Sequence, residues 1–184
     1  MRKHSAAGMT IIELLIGFVL VGFLLSLGVP SFSGWLQNVQ VRNAAETIFN
    51  GLQLARANAV QRNKSVTFTM NGPDSGWSVT INTPSSVAGV LETATVQSRR
   101  ATEGTPNARV SVLAPAALPV AISFDGLGKT NLAQQMTIQV TNPTGGTCVS
   151  AGGNMRCLNV TVAVGGQIKM CDPQVSTAGD SRKC

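Results

Sequence analysis

The chain has no tyrosine, only 4% aromatic residues, a single histidine at position 4 and 12% charged side chains. Scarce Glu and Lys, set against plentiful apolar and β-branched residues, exclude a disordered tail protein and a long coiled coil. The shortage of aromatics removes the stacking platforms that single-strand nucleic-acid binders use. The four cysteines contain no C-x-x-C pair, which speaks against a zinc site. What is present is 184 residues, 19 of them glycine, enough for one domain and an accessory segment. Mean hydropathy is positive although most of the chain is rich in Thr, Ser, Asn and Gly. The apolarity is therefore concentrated, and it lies in residues 11–29. A membrane-linked, β-rich protein fits these features.

The first eight residues are polar and basic, and the apolar run starts at once at Met9. Arg2 and Lys3 are expected on the cytoplasmic side of a membrane by the positive-inside bias. Leu14 to Val29 is 16 residues without a charge, and Met9 to Val29 is 21. As a helix the longer stretch reaches roughly 30 Å, just enough to span a bilayer. A secretory signal would have an apolar core of about 7 to 15 residues and a small-x-small cleavage site. This run is longer and carries Glu13. A carboxylate inside a spanning helix costs on the order of a few kcal/mol at the bilayer centre and less near an end, so it marks a functional site whose partner must be a cation. The plainer alternative keeps Glu13 wet at the interface, near the positive end of the helix dipole.

The combination Lys3, Gly8, Met9-Thr10-Ile11-Ile12-Glu13-Leu14-Leu15, followed by Pro30, resembles the class III leader and N-terminal helix of type IV pilins and pseudopilins. The resemblance implies that a prepilin peptidase cuts after Gly8 and methylates the new N-terminus at Met9, where the family usually has Phe. It further implies that Glu13 pairs with the N-terminal ammonium of a neighbouring subunit during assembly, which agrees with the need of a buried carboxylate for a compensating charge. Cleavage would remove Arg2, Lys3 and His4, leaving 12 basic side chains against 8 acidic ones. With no histidine left, every triad, metal or acid/base scheme that needs imidazole is excluded for the mature chain.

Beyond Pro30 the pattern turns amphipathic: Phe32, Trp35, Leu36 and Val39, then Ala45, Ile48, Leu52, Ala55 and Ala59, the later ones stepping by three and four. Residues 9–30 and 31–63 are expected to form one long helix, bent or loosened near Gly28 and Pro30. Trp35 and Trp77 are expected to pack between helix and sheet. From Lys64 onward short β runs alternate with turns. Candidate strands are Val66 to Met70, Trp77 to Ile81, Val90 to Gln97, Val110 to Leu113, Val120 to Phe124, Met136 to Thr141, Leu158 to Val164 and Gln167 to Met170. The last two are joined by Gly165-Gly166, read as a two-residue hairpin. Asn82 to Gly89, Glu103 to Asn107, Ala114 to Pro119 and Asn142 to Gly153 read as loops. This order of elements, with Ile122-Ser123-Phe124-Asp125-Gly126 and Cys171-Asp172-Pro173, resembles the globular part of GspH/FimT minor pilins. The implied fold is α+β and pilin-like: a long N-terminal helix, its first half transmembrane, on an antiparallel β-sheet domain over residues 64–184 with a disulfide-closed C-terminal loop.

Cys148, Cys157, Cys171 and Cys184 all fall late in the chain. Outside the inner membrane disulfides are permitted. Nearest-neighbour pairing would close one small loop and one C-terminal loop, although three connectivities are open. Gly128-Lys129-Thr130 imitates the end of a phosphate-binding loop, but Ser123 stands where that motif needs glycine, and a turn between strands is the better reading. The cationic surplus is distal: residues 99–184 carry eight Lys and Arg against four acids. Arg182, Lys183 and Lys169 are candidate DNA contacts, since phosphates need only accessible positive groups. Arg99 and Arg100 carry the same ambiguity between a contact and a solvated surface. The chain also resembles DNA-binding FimT proteins, whose tail has the form Gly-Arg-x-Arg. Here Gly179 and Arg182 match, and Asp180 stands where the first Arg would be.

Together these readings describe assembly and not catalysis, with no cofactor and no metal. The expected protein is a minor pilin, anchored by a single pass in the inner membrane with its globular domain in the periplasm. It would then be incorporated at or near the tip of a type IV pilus. Its expected partners are prepilin peptidase, the inner membrane, and major and minor pilins through the N-terminal helix, with double-stranded DNA as a further candidate. The alternative is a GspH-like pseudopilin of type II secretion, which has the same N-terminal chemistry.

Overall fold

The computed structural model describes residues 8–83, 86–87, 90–91, 94–113 and 117–184; the side chains of 27–31, 86–87 and 90–91 lie outside the description. It divides into two units, Met1–Leu36 and Gln37–Cys184. Helix α1 runs Ile11–Arg62. It starts where Thr10 sits as N-cap, with its carbonyl accepting the Leu14 N–H at 3.2 Å. Apart from Thr10 and Glu13, the described side chains from Met9 to Leu25 are apolar around the circumference, and all are exposed. Among the described residues no helix is both long and apolar enough to cross a membrane. The expected span over 9–30 takes in residues 27–30, whose side chains lie outside the description, as do the leader residues 1–7. The backbone is helical through Gly28 and Pro30.

In the second unit the helix becomes a core element. Val41, Ala44, Ala45, Ile48, Leu52, Ala55 and Ala59 are fully buried along one stripe. Small residues dominate this stripe and let the sheets approach. At Gly51 a Cβ would stand 2.8 Å from Phe68 and 2.9 Å from Trp77, so only glycine admits both rings. Asn63, at φ 50°, ends the helix in the left-handed conformation that asparagine tolerates.

The strands are β1 (Val66–Met70), β2 (Trp77–Ile81), β3 (Ser86–Val87), β4 (Val90–Leu91), β5 (Thr95–Arg99), β6 (Arg109–Leu113), β7 (Val120–Phe124), β8 (Met136–Thr141), β9 (Leu158–Val162) and β10 (Ile168–Cys171). They form two four-stranded antiparallel sheets, ordered β5-β2-β1-β7 and β10-β9-β8-β6, and a small β3-β4 pair. Alternation decides the faces: Val66, Phe68 and Met70 point inward between Thr67 and Thr69, as do Met136, Ile138 and Val140 on β8. Each large side chain buried this way contributes about 1.5 to 3 kcal/mol. One continuous core joins the helix stripe to both sheets.

The antiparallel β-sheet domain expected from the sequence is present, as two principal sheets that each bury one face in the shared core. Some finer expectations are corrected. The run expected over Val90 to Gln97 divides, because Val90–Leu91 pairs with β3 while Thr95–Arg99 pairs with β2. Asn142 to Gly153 contains two 3-10 turns, Pro143–Gly145 and Val149–Ala151. The last hairpin has a three-residue loop. The Gly166 N–H donates to the Ala163 carbonyl, and the Ala163 N–H donates to the Gln167 carbonyl, both at 2.9 Å. Gly166 takes φ 82°, the left-handed third position that such loops require. Trp77 is buried as expected, its ring 5.6 Å from that of Phe68. Trp35 is not: it is 59% exposed and contacts only the neighbouring Phe32 ring among described aromatics. The buried stripe, extended back by its own steps, lands on Asn38 and Gly34 and misses Trp35.

Candidate functional site

The chemistry-bearing residues fall into two separate places. At the start of α1, the Thr10 N–H donates to Glu13 Oε2 at 3.5 Å and the Glu13 N–H donates to Thr10 Oγ1 at 3.3 Å. This reciprocal pair is a capping box, and the T-x-x-E spacing that produces it is legible in the sequence. Both contacts are long and exposed, so the carboxylate is held loosely by its own backbone and is free to take a stronger partner. An ammonium is such a partner, since a charge-assisted bond is roughly twice as strong as a neutral one. Gly8 and Met9 lie directly before this box, both exposed and outside the helix.

The second place is the C-terminal loop. Cys148 bonds to Cys157 and Cys171 to Cys184, and no described cysteine is free. Nearest-neighbour pairing is thus the one adopted. The second bridge ties the chain end to β10, and the Asp172 N–H donates to the Arg182 carbonyl at 2.7 Å. Lys169 and Lys183 are brought together: Lys169 Nζ donates to the Lys183 carbonyl at 2.7 Å, and Lys183 Nζ donates to that of Ser176 at 3.3 Å. Both partners are carbonyl oxygens and not carboxylates. Arg182 differs, because Asp180 grips it with two bonds, Nη2 to Oδ2 at 2.8 Å and Nε to Oδ1 at 3.1 Å. The hydrogen bonds from the Arg182 side chain, then from its backbone, pull the Asp180 carboxyl from the usual 3.8 to about 2. The same fork raises the Arg182 pKa. Asp180 therefore competes with a phosphate for the cation that the sequence offers there.

Beneath the loop, Arg156 Nε donates to Asp172 Oδ2 at 2.8 Å, and the carboxylate is nearly buried. The Gln174 N–H satisfies its other oxygen at 2.9 Å, so Asp172 is a structural anchor. Asp125 holds a turn: its Oδ1 accepts from the Leu127 and Lys129 N–H groups at 3.0 and 2.9 Å, and Gly128 takes φ 77°. Residues 125–128 thus form the turn that the sequence reading expected, with Gly128 inside it and Thr130 bridging back to Phe124. Arg99 and Arg100 line an open cleft of about 610 Å³ with Asp74, Trp77 and Thr102. Among the described residues no cluster of His, Cys, Asp and Glu could hold a metal ion.

The exposed apolar start of the helix, the helix stripe under antiparallel sheets and the bridged C-terminal loop define a pilin-like α+β subunit. Residues 44–173 match the family described as type II transport protein GspH. The chain belongs to the GspH family. Among solved structures it is similar to the type IV minor pilin FimU of Pseudomonas aeruginosa PAO1. The TM-score is 0.53 at 15% identity, over 78% of this chain and 99% of that one. It is also similar to EpsH, the minor pseudopilin of the Vibrio cholerae type 2 secretion system. Here the TM-score is 0.51 at 9% identity, over 74% and 99%. These likenesses concern the fold alone. None of the curated proteins compared with the chain matches it.

Proposed function

We propose that the chain is a minor pilin of a type IV pilus, held in the inner membrane by residues 9–30 until it enters the fibre at or near its tip. Prepilin peptidase cuts after Gly8 and methylates Met9, which frees the ammonium that a neighbouring Glu13 requires. The observation that carries this reading is the run of exposed apolar side chains from Met9 to Leu25, interrupted by a loosely held Glu13. A surface of this kind is stable only in lipid or against other helices. Mass spectrometry of the protein from its own host tests the reading. N-methyl-Met9 as the first residue is expected, and a retained leader in cells that process other pilins would overturn it.

A pseudopilin of type II secretion is the second reading, favoured by the description of the matching family. Deletion separates the two: loss of surface pili with normal secretion supports the pilus, and the reverse supports secretion. DNA capture is the finer reading of the C-terminal loop, resting on Lys169 and Lys183 with Arg182 restrained by Asp180. Binding that weakens steeply with salt is expected, together with tighter binding by Asp180→Ala, and absence of binding at low salt removes the reading.

A further inference from the structure

Phe32, Trp35 and Leu36 form an exposed apolar face on the first unit, with 62%, 59% and 42% of their surfaces open. The Phe32 and Trp35 rings lie 5.6 Å apart and tilted, so they pair with each other. Tryptophan left open in a single chain is unusual, since it has the most surface to hide and a polar N–H to satisfy. Its sequence neighbourhood is equally specific. No charged residue stands between Glu13 and Arg42, so nothing near the pair forces it out of a partly apolar medium.

The depth arithmetic selects the occupant. A helical hydrocarbon crossing of about 20 residues beginning near Met9 ends near Val29. Trp35 lies about six residues further, roughly 9 Å along a helix at about 1.5 Å per residue. The polar interfacial layer on each side of a bilayer is about 5 to 8 Å thick. Phe32, roughly 4.5 Å past Val29, therefore falls within that layer. Trp35 falls just past its outer edge, with its side chain tilted back toward the helix N-terminus and the layer. This is the zone where indole rings are enriched because one edge is apolar and the other wet.

We propose that Phe32 and Trp35 are an interfacial anchor that docks on the lipid headgroup layer of the outer leaflet and fixes the depth of the helix before assembly. The inference rests on the reading of residues 9–30 as a membrane anchor. It adds a site whose partner is a lipid surface. Withdrawal of the subunit into a fibre would strip this contact from the rings.

The two tryptophans make the test direct, because Trp77 is buried in the core. The full chain carrying Trp77→Phe is reconstituted in vesicles of phosphatidylcholine and phosphatidylglycerol whose acyl chains are brominated near the headgroup or near the terminal methyl. Flotation is read beside fluorescence. Co-flotation, a blue-shifted Trp35 emission and stronger quenching by the shallow bromines are expected. Co-flotation with Trp35 quenched only by a water-soluble quencher, or chiefly by the deep bromines, would overturn the anchor while leaving the membrane reading intact. Failure to float would overturn the membrane reading and the anchor with it. Should Trp77→Phe fail to fold, the difference in quenching between the unaltered chain and its Trp35→Phe variant gives the same readout.

Discussion

Phe18 and Phe23 are 67% and 63% exposed, whereas Phe68 and Phe124 are fully buried. The same side chain thus has opposite fates in the two units of one protein. In Gln37–Cys184 most apolar residues alternate along strands or step along a helix face, so they have an inner side to occupy. In the first unit they surround the helix, and no arrangement of that unit alone can hide them. The difference teaches that the second unit is folded by its own core, while the described apolar side chains of the first are left exposed, which is what the proposed membrane and fibre contacts would cover.

The sharpest way to break this comparison is to truncate phenylalanine in each unit. Phe68→Ala should lower unfolding stability of the full chain in mild detergent by about 3 to 5 kcal/mol, while Phe18→Ala should stay within about 0.5 kcal/mol. Denaturant titration followed by fluorescence reads both, and similar losses would contradict the division. Removing the second bridge with Cys171→Ser and Cys184→Ser should cost about 2 to 4 kcal/mol in the same titration and loosen the C-terminal loop. Gly51→Val should cost about 1 to 3 kcal/mol, because its side chain would collide with Phe68 and Trp77; thermal melting checks it.

The smallest effect concerns Asp180. Its folded carboxyl sits at about 2, below the ordinary 3.8, so the fork contributes fully above the ordinary value and is lost as pH falls through about 2. An NMR titration of this carboxyl should find its midpoint near 2. A midpoint at the ordinary value would mean that the fork does not hold in solution.

Much of the second unit was legible in sequence because its signals are local. β1, β2, β7 and β8 begin and end where alternation and turn residues place them. The division into two sheets was not legible, since it depends on which strand each edge meets and not on any run's own period. Gly165-Gly166 reads as a two-residue turn until the pairing of Ala163 with Gln167 is known. Trp35 looks like core from its chemistry, but the covered stripe passes it by. At the candidate sites, the cap formed by Thr10 and Glu13 follows from spacing. The pairing of Arg182 depends on a turn that aims Asp180 at it, which composition cannot reveal.

The central claim is that the first unit is completed by other subunits through Glu13. Full-length protein carrying Glu13→Gln keeps the size and helix propensity of the residue but removes its charge. Sheared fibres from cells expressing it should contain little or none of the variant, although it accumulates in the membrane as the unaltered chain does. Incorporation at the unaltered level would contradict the account.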